Sequence, residues 1–562
     1  MPREQYKRDL YRLDAGDLGH IEGVTVSYRS NSSRTQALSH YFGGLPYALP
    51  PTGPYRFRRP RPLPDQYRYG TKISPGCFTR SAAFCPQPVF NNGIDNRDLW
   101  SEDCLQLNIH IPVGGPPSPN GWPVFFYIHG GFLQWGSPNM TPEALAPLLS
   151  ETAFMAIIIM PAYRVNAFGF LAGMELQDEA RRNGEVATGN FGFWDQRLAL
   201  EWTASNIHAF GGDANNITLG GYSAGSHGAF QQLAHELYFV SDEKAIIKRV
   251  IMWSNSPGVQ PKGLDEQQKQ FDEYLLRLGI PLTLSAEEKL GRLRSMTMQE
   301  LVAPQNNMQY SEFRATTDGS FIPASMVSNI NSGDFGRRMK AREIKLINGE
   351  CRDEHNLYRA WRTPAGNSYD AIYTRLCADY PERAVKRLMD HHCSGAEKKI
   401  PRGMKDWTDF FGHAYANMQV HSLERGFING LAKGGLEPGK DLLRYRFDWR
   451  ASTVPLPEEW GVTHASDMDI WFWGEGHGEG LREDEKVTLK WWNEAFAGFV
   501  KGEAVLWPCW GVRDMVRLRG DGVTDTWNDE RWEEGVKVWE EVNSDSGSDI
   551  GRGVLGWIKA RI

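Results

Sequence analysis

Ser223 lies in the stretch NITLGGYSAGSHGAF (216–230), flanked two residues away on each side by Gly221 and Gly225. β-branched and apolar residues lead into it, and a stretch able to wind as a helix leads out. A serine at so sharp a strand-to-helix turn is forced into a strained backbone conformation, and small neighbours let strand and helix approach without colliding. The turn lifts the hydroxyl into the open. That hydroxyl is a poor nucleophile alone: it needs an imidazole to take its proton and a carboxylate to hold the imidazole in the right tautomer. Carboxylates cluster at Glu350, Asp353 and Glu354, and fourteen histidines compete for the base. The chemistry in prospect is acyl transfer through a serine. With 58 glycines in 562 residues, G-x-S-x-G alone is weak evidence, and its surroundings must decide.

Those surroundings are strand-like runs, each followed by a helical pattern: PVFFYIHGG (123–131), MAIIIMPAY (155–163), NITLGGY (216–222), RVIMWSN (249–255), EIKLING (343–349) and LLRYRFDW (442–449). Strands alternating with helices predict an α/β fold, a mostly parallel central sheet flanked by helices, with the chemistry on loops leaving the carboxyl ends of the strands. No solenoid repeat and no Pro/Ser linker divides the chain, so residues 1–562 read as one domain. The segment 260–310 reads as amphipathic helices inserted over the site. The tail, 511–562, reads as helical, with Trp532, Val536 and Trp539 on one face.

Composition excludes other classes. An apolar fraction of 41% and a charged fraction of 23% fit a protein with a large core. A net charge of −7 with no basic block leaves no surface for nucleic acid. The charged start, MPREQYKRDLYRLDAGDLGH, has no signal-like apolar run, and FMAIIIM (154–160) is too short to span a bilayer, so the expected location is cytoplasmic. The sequons at Asn31, Asn139 and Asn216 point the other way but need a secretory route to matter. Seven cysteines without a C-x-x-C, and HHC (391–393) without a second ligand pair, give no metal site. GEGHGEG (474–480) carries too much acid to cradle phosphate and reads as loop.

Upstream of the serine, GNFGFWDQRLALEWTASNIHAFGGDANNITLGGYSAGS (189–226) resembles the long signature of the type-B carboxylesterase/lipase family, the cholinesterases and fungal lipases. Further blocks agree in order, among them YFGGLPYALPPTGPYRFRRP (41–60), EDCLQLNIHIP (102–112), IHGGFLQWGS (128–137), INGECRDEH (347–355) and GVTHASDM (461–468), so the resemblance runs from about residue 20 to 510. It implies an α/β-hydrolase fold and a Ser-Glu-His triad. By position the acid is Glu354, with Asp353 and Glu350 as rivals, and the base is His464. His355 stands where the family has glycine. Oxyanion donors would be the N–H of Ala224 with those of Gly130, Gly131 and Phe132, since HGGF replaces a triple glycine. His129 and His227 read as structural. The resemblance also implies a disulfide between Cys85 and Cys104 and a buried Glu102–Arg164 ion pair.

The function expected is hydrolysis of a neutral, hydrophobic small-molecule ester through an acyl-enzyme, with no cofactor. Two alternatives accompany it: a biosynthetic acyltransferase or lactone-forming enzyme with the same chemistry, and a non-catalytic recognition domain, against which the retained triad argues. Oligomeric state has no sequence signal here.

Overall fold

A computed structural model describes residues 6–29, 35–89, 96–186, 188–393, 398–474 and 480–544. One twisted sheet runs through it. Its strands lie in the spatial order Tyr6–Asp14, His20–Arg29, Thr35–Pro46, Gln106–Pro112, Ile157–Pro161, Trp122–Ile128, Gly212–Tyr222, Ile247–Trp253, Lys345–Cys351, Leu442–Phe447, Asp514–Leu518 and Thr524–Asn528. From Ile157–Pro161 to Asp514–Leu518 neighbours are parallel; at both ends they are antiparallel. All six runs read as strands from the sequence are in this sheet.

The central strands are buried on both faces, which explains their continuous apolar character. Every residue of Trp122–Ile128 and Ile157–Pro161 is buried. Alternate side chains enter separate cores: Val124, Phe126 and Ile128 on one face, Phe125 and Tyr127 on the other. Pairing of Trp122–Ile128 with Gly212–Tyr222 aligns Gly220 with Tyr127 and Gly221 with Ile128, bringing the serine turn beside the HGGF loop.

The tail departs from the helical expectation. Asp514–Leu518 and Thr524–Asn528 form a hairpin on the sheet edge, because Met515, Val516 and Leu518 are buried against it. A helix, Trp532–Val542, follows, with Trp532, Val538 and Trp539 inward and Val536 half-buried. His391, from the HHC segment, ties it down by pairing with Glu534 and Glu541 at 2.6 Å each. Within 260–310 lie the helices Leu264–Arg277, Ala286–Ser295 and Met298–Val302. Ala286–Ser295 rests on Met174–Arg182 through Lys289–Glu175 and Arg294–Glu179 ion pairs, both at 2.6 Å. Cys85 and Cys104 are disulfide-bonded, with Cα atoms 5.2 Å apart. Among the described residues no helix is long and apolar enough to cross a membrane, and no group of three or more His, Cys, Asp or Glu could hold a metal ion. Residues 475–479 of the GEGHGEG stretch, the sequon at Asn31 and 545–562 lie outside the described residues.

Candidate active site

The strand Gly212–Tyr222 passes into the helix Ala224–Phe239 through Ser223 alone. Ser223 has φ 55° and ψ −124°, a conformation that costs a non-glycine residue about 1–3 kcal/mol and survives only where its surroundings impose it. The surroundings do so. A β-carbon on Gly221 would overlap the backbone of Gly225, and one on Gly225 would overlap the carbonyls of Ile128 and His129. The two glycines therefore let helix, strand and neighbouring loop meet, and Ser223 is what the junction projects.

Ser223 Oγ is 2.8 Å from His464 Nε2, and His464 Nδ1 is 2.5 Å from Glu354 Oε2. The second oxygen of Glu354 accepts from the Cys351 N–H at 2.8 Å, fixing the carboxylate plane. All three side chains are buried. Each leaves the carboxyl end of a different parallel strand: Gly212–Tyr222, Lys345–Cys351 and Leu442–Phe447. A parallel sheet delivers all such ends to one edge, which is how residues so distant in sequence converge. The His464 ring lies between Tyr222, at 4.9 Å, and Tyr358, at 4.6 Å. Tyr358 Oη is 3.1 Å from Nδ1 and 3.2 Å from Nε2, which places it over the ring. Burial pushes both phenols well above their ordinary range, so both stay neutral.

The rival carboxylates are engaged elsewhere. Asp353 is paired with Arg352 at 2.8 Å and accepts from the Val462 N–H at 3.0 Å. Glu350 is buried among His421 (2.6 Å), Arg425 (3.0 Å) and Arg446. His355 stacks on His413 at 3.9 Å. His129 stacks on Tyr163 at 4.4 Å, and burial lowers its pKa to about 4, so its role is to hold the loop as a neutral ring.

Gly130 packs directly against Tyr222 and Ser223, so a β-carbon there would press on the serine. Gly131, Phe132 and Leu133 follow with φ of 112°, 57° and 63°. Among the described residues nothing accepts from the N–H groups of Gly130, Gly131, Phe132 or Ala224. Free backbone donors of this kind are what a developing oxyanion would need. Beside them lies a cleft with an empty volume of about 540 Å³, including its open mouth. Leu133, Pro257, Val259 and Pro261 supply apolar lining; His227, Arg314, Asp379 and Gln419 supply polar lining. The lining residues before and after 264–302 flank the inserted helices.

A sequence model of the carboxylesterase family matches residues 14–547. The chain belongs to that family. A carboxylic ester hydrolase of Gibberella moniliformis is 54% identical over 96% of this chain and 98% of its own length. An uncharacterized esterase/lipase of Schizosaccharomyces pombe is 36% identical, covering 94% and 96%. The acetylcholinesterase of Bungarus fasciatus is 28% identical over 77% of this chain and 69% of its own.

One pairing implied by the carboxylesterase resemblance is corrected. Glu102 and Arg164 take different partners: Arg56 donates to Glu102 at 2.7 Å, and Arg164 donates to Asp195 at 2.7 and 2.8 Å. Arg56, in RFRRP, also donates to the carbonyls of Leu293, Arg294 and Met296, and Asp195 is among the buried residues of the helix Phe191–Asn206, where it also accepts from the Arg164 N–H, so each cation is fixed beside a different carboxylate. Four residues near the site had no sequence signal read for them. Asn255 Nδ2 donates to the Ser223 carbonyl at 2.9 Å. Asp467 accepts from Ser254 Oγ and Tyr445 Oη, both at 2.8 Å, and burial, with the Glu354 charge, pushes its pKa up to about 6. Tyr358 and Arg314 are the others. Only Asp467 had an accessible cue, three residues past His464 in the same block.

Phe132 is the loop's main departure from the carboxylesterase pattern. Its left-handed φ suits glycine, and its buried ring meets Trp135 at 5.1 Å, Tyr358 at 6.1 Å and Tyr415 at 6.2 Å. Phe132→Gly is expected to keep kcat within about tenfold, because the N–H is retained. Lost packing should outweigh relieved strain, lowering Tm, while the vacated space shifts preference toward bulkier esters. A chain-length profile identical to the parent's would show that the ring faces away from substrate. Proline is no clean donor deletion here, since its φ of about −65° cannot match this position.

Proposed function

We propose that the chain is a serine carboxylic-ester hydrolase acting through an acyl-enzyme on neutral, hydrophobic esters. The reading rests above all on the unbroken hydrogen-bonded series Glu354–His464–Ser223 beside unpaired backbone donors of the HGGF loop and of Ala224. Ser223 Oγ attacks the ester carbonyl while His464 Nε2 takes its proton. The N–H groups of Gly131, Phe132 and Ala224 meet the oxyanion, each donor worth about 2.7–4 kcal/mol in such sites. His464 returns the proton to the departing alcohol, Glu354 stabilising the imidazolium meanwhile. Water then repeats the sequence on the acyl-enzyme and releases the acid. No cofactor enters any step.

The substrate class follows from charge. The apolar lining of the cleft suits a hydrocarbon acyl chain, and Arg314 and Asp379 neutralise each other. Tyr222, a neutral phenol, stands beside the nucleophile where the family usually has glutamate, so no carboxylate there favours a cationic leaving group. A p-nitrophenyl ester chain-length series, assayed beside acetylcholine and with alcohol acceptors present, tests the proposal. Expected are burst-phase hydrolysis of the neutral esters, poor turnover of choline ester, and free acid as the main product. Preference for the choline ester would overturn the substrate class; ester products from the alcohols would establish an acyltransferase instead.

A further inference from the structure

We propose that Arg314 is a positioning residue that clamps the oxyanion loop through the carbonyl of Phe132. The inference rests on the hydrolase reading above. Gly131, Phe132 and Leu133 are three successive residues with positive φ, two of them bearing side chains. For such residues the left-handed region costs roughly 1–2 kcal/mol each, so the segment does not hold its shape by preference. Outside contacts must impose it. Asn166 N–H donates to the Leu133 carbonyl at 2.7 Å, and Gln134 Nε2 reaches the Phe132 carbonyl at 3.2 Å. The strongest contact is a charge-assisted hydrogen bond: Arg314 Nη1 donates to that same carbonyl at 2.5 Å from 182 residues away. A charged donor makes a shorter and stronger hydrogen bond than a neutral amide does.

The guanidinium is itself immobilised. Its Nε donates to Asp379 Oδ1 at 2.7 Å and its Nη2 to Tyr415 Oη at 2.8 Å. Tyr415 Oη donates to the same carboxylate at 3.2 Å, and Arg375 holds the other oxygen of Asp379 at 2.5 Å. Burial works against the Arg314 charge, but Asp379, Tyr415 and Glu312 more than restore it, so it stays cationic. Three of its N–H directions are thus spent on the protein, two on Asp379 and Tyr415 and one on Phe132. The fork is rigid, and the carbonyl it grips fixes the plane of the Phe132–Leu133 peptide, which anchors the Phe132 α-carbon and with it the preceding peptide that carries the Phe132 N–H. A misplacement of about 1 Å in such donors is enough to cost ~10²-fold.

Arg314 also lines the cleft, so a direct contact with substrate must be told apart from positioning. Oxyanion donors stabilise O⁻ better than the larger, softer S⁻, so p-nitrophenyl acetate and its thiono analogue, with C=S for C=O, report on the alignment of the hole. Arg314→Met should lower kcat on the oxygen ester by about 30–100-fold with KM within about threefold, and should lower the oxo-to-thiono rate ratio by about tenfold or more. Arg314→Lys, which keeps a cation opposite Asp379, should recover part of both and serves alone if the methionine variant does not fold. An unchanged ratio in whichever variant folds, whatever happens to kcat, would overturn positioning. A raised KM with unchanged kcat would do the same and make Arg314 a substrate contact. Failure of the parent chain to turn over any ester, or to be labelled by a phosphonate, would instead overturn the hydrolase reading and this inference with it.

Discussion

Ser223→Ala is expected to abolish ester turnover and labelling by an organophosphonate together. The hydroxyl is 2.8 Å from His464 Nε2 at a junction that projects only this side chain, so no neighbouring group can replace it. Loss of the nucleophile of a serine hydrolase lowers kcat by about 10⁶, leaving only what oriented binding and the oxyanion donors supply. The fold should survive, since alanine keeps the backbone and the hydroxyl makes no contact beyond His464. Covalent label recovered on a different serine of the parent chain would refute the assignment.

The second large effect belongs to Glu354. In Glu354→Gln one atom of the new amide must face the Cys351 N–H, which donates at 2.8 Å and therefore keeps the oxygen. The NH₂ group is then turned toward His464 Nδ1. A nitrogen that accepts there must carry its proton on Nε2 instead, pointing at Ser223 and unable to take the serine's proton. Turnover should fall by roughly 10²–10⁴, the range expected for a wrong tautomer without loss of fold. Asp353→Asn should change kcat less than about threefold, as an exposed pair with Arg352 contributes little. Glu350→Gln should act on stability, because it takes one carboxylate from a buried cluster in which Arg425 keeps Asp529 and Arg446 keeps Asp448, a loss below the roughly 3–5 kcal/mol of a fully uncompensated buried charge. Kinetics and thermal melts on the three variants separate these outcomes; a catalytic collapse confined to Asp353→Asn would move the acid there.

Where the sequence was readable, local chemistry dictated the structure. Ser223 needs its two glycines within two residues, and the six central strands are apolar because helices cover both faces. The edges were harder. Tyr6–Asp14 carries Lys7, Arg8, Asp9 and Arg12 and is half-exposed, which blunts an open sheet edge and hides the strand's apolar signal. The hairpin of 514–528 was obscured likewise by its acidic, tryptophan-rich setting. Side-chain partners that meet only through folding were the least legible: Tyr358 over His464 depends on the helix His355–Ala360 meeting the loop of His464, and the partners of Glu102 and Arg164 depend on which packing layer each enters. The grip of Arg314 on Phe132 joins segments with no shared pattern at all.

The late hairpin at the sheet edge bears on how the protein comes into being. Leu442–Phe447, the strand whose following loop carries His464, lies between Lys345–Cys351 and Asp514–Leu518. During synthesis it emerges with one flank open, and its second neighbour arrives only after some seventy further residues, by the spacing of Phe447 and Asp514. The hydrogen-bonded groups themselves span 241 positions from Ser223 to His464 and 110 from Glu354 to His464. Such long-range closures come last and slowly, since their entropy must be met before any contact rewards it. The nascent chain therefore has no assembled Glu354–His464–Ser223 series until His464 and the strands beside it have emerged, and its apolar central strands stay open to misassociation during that interval.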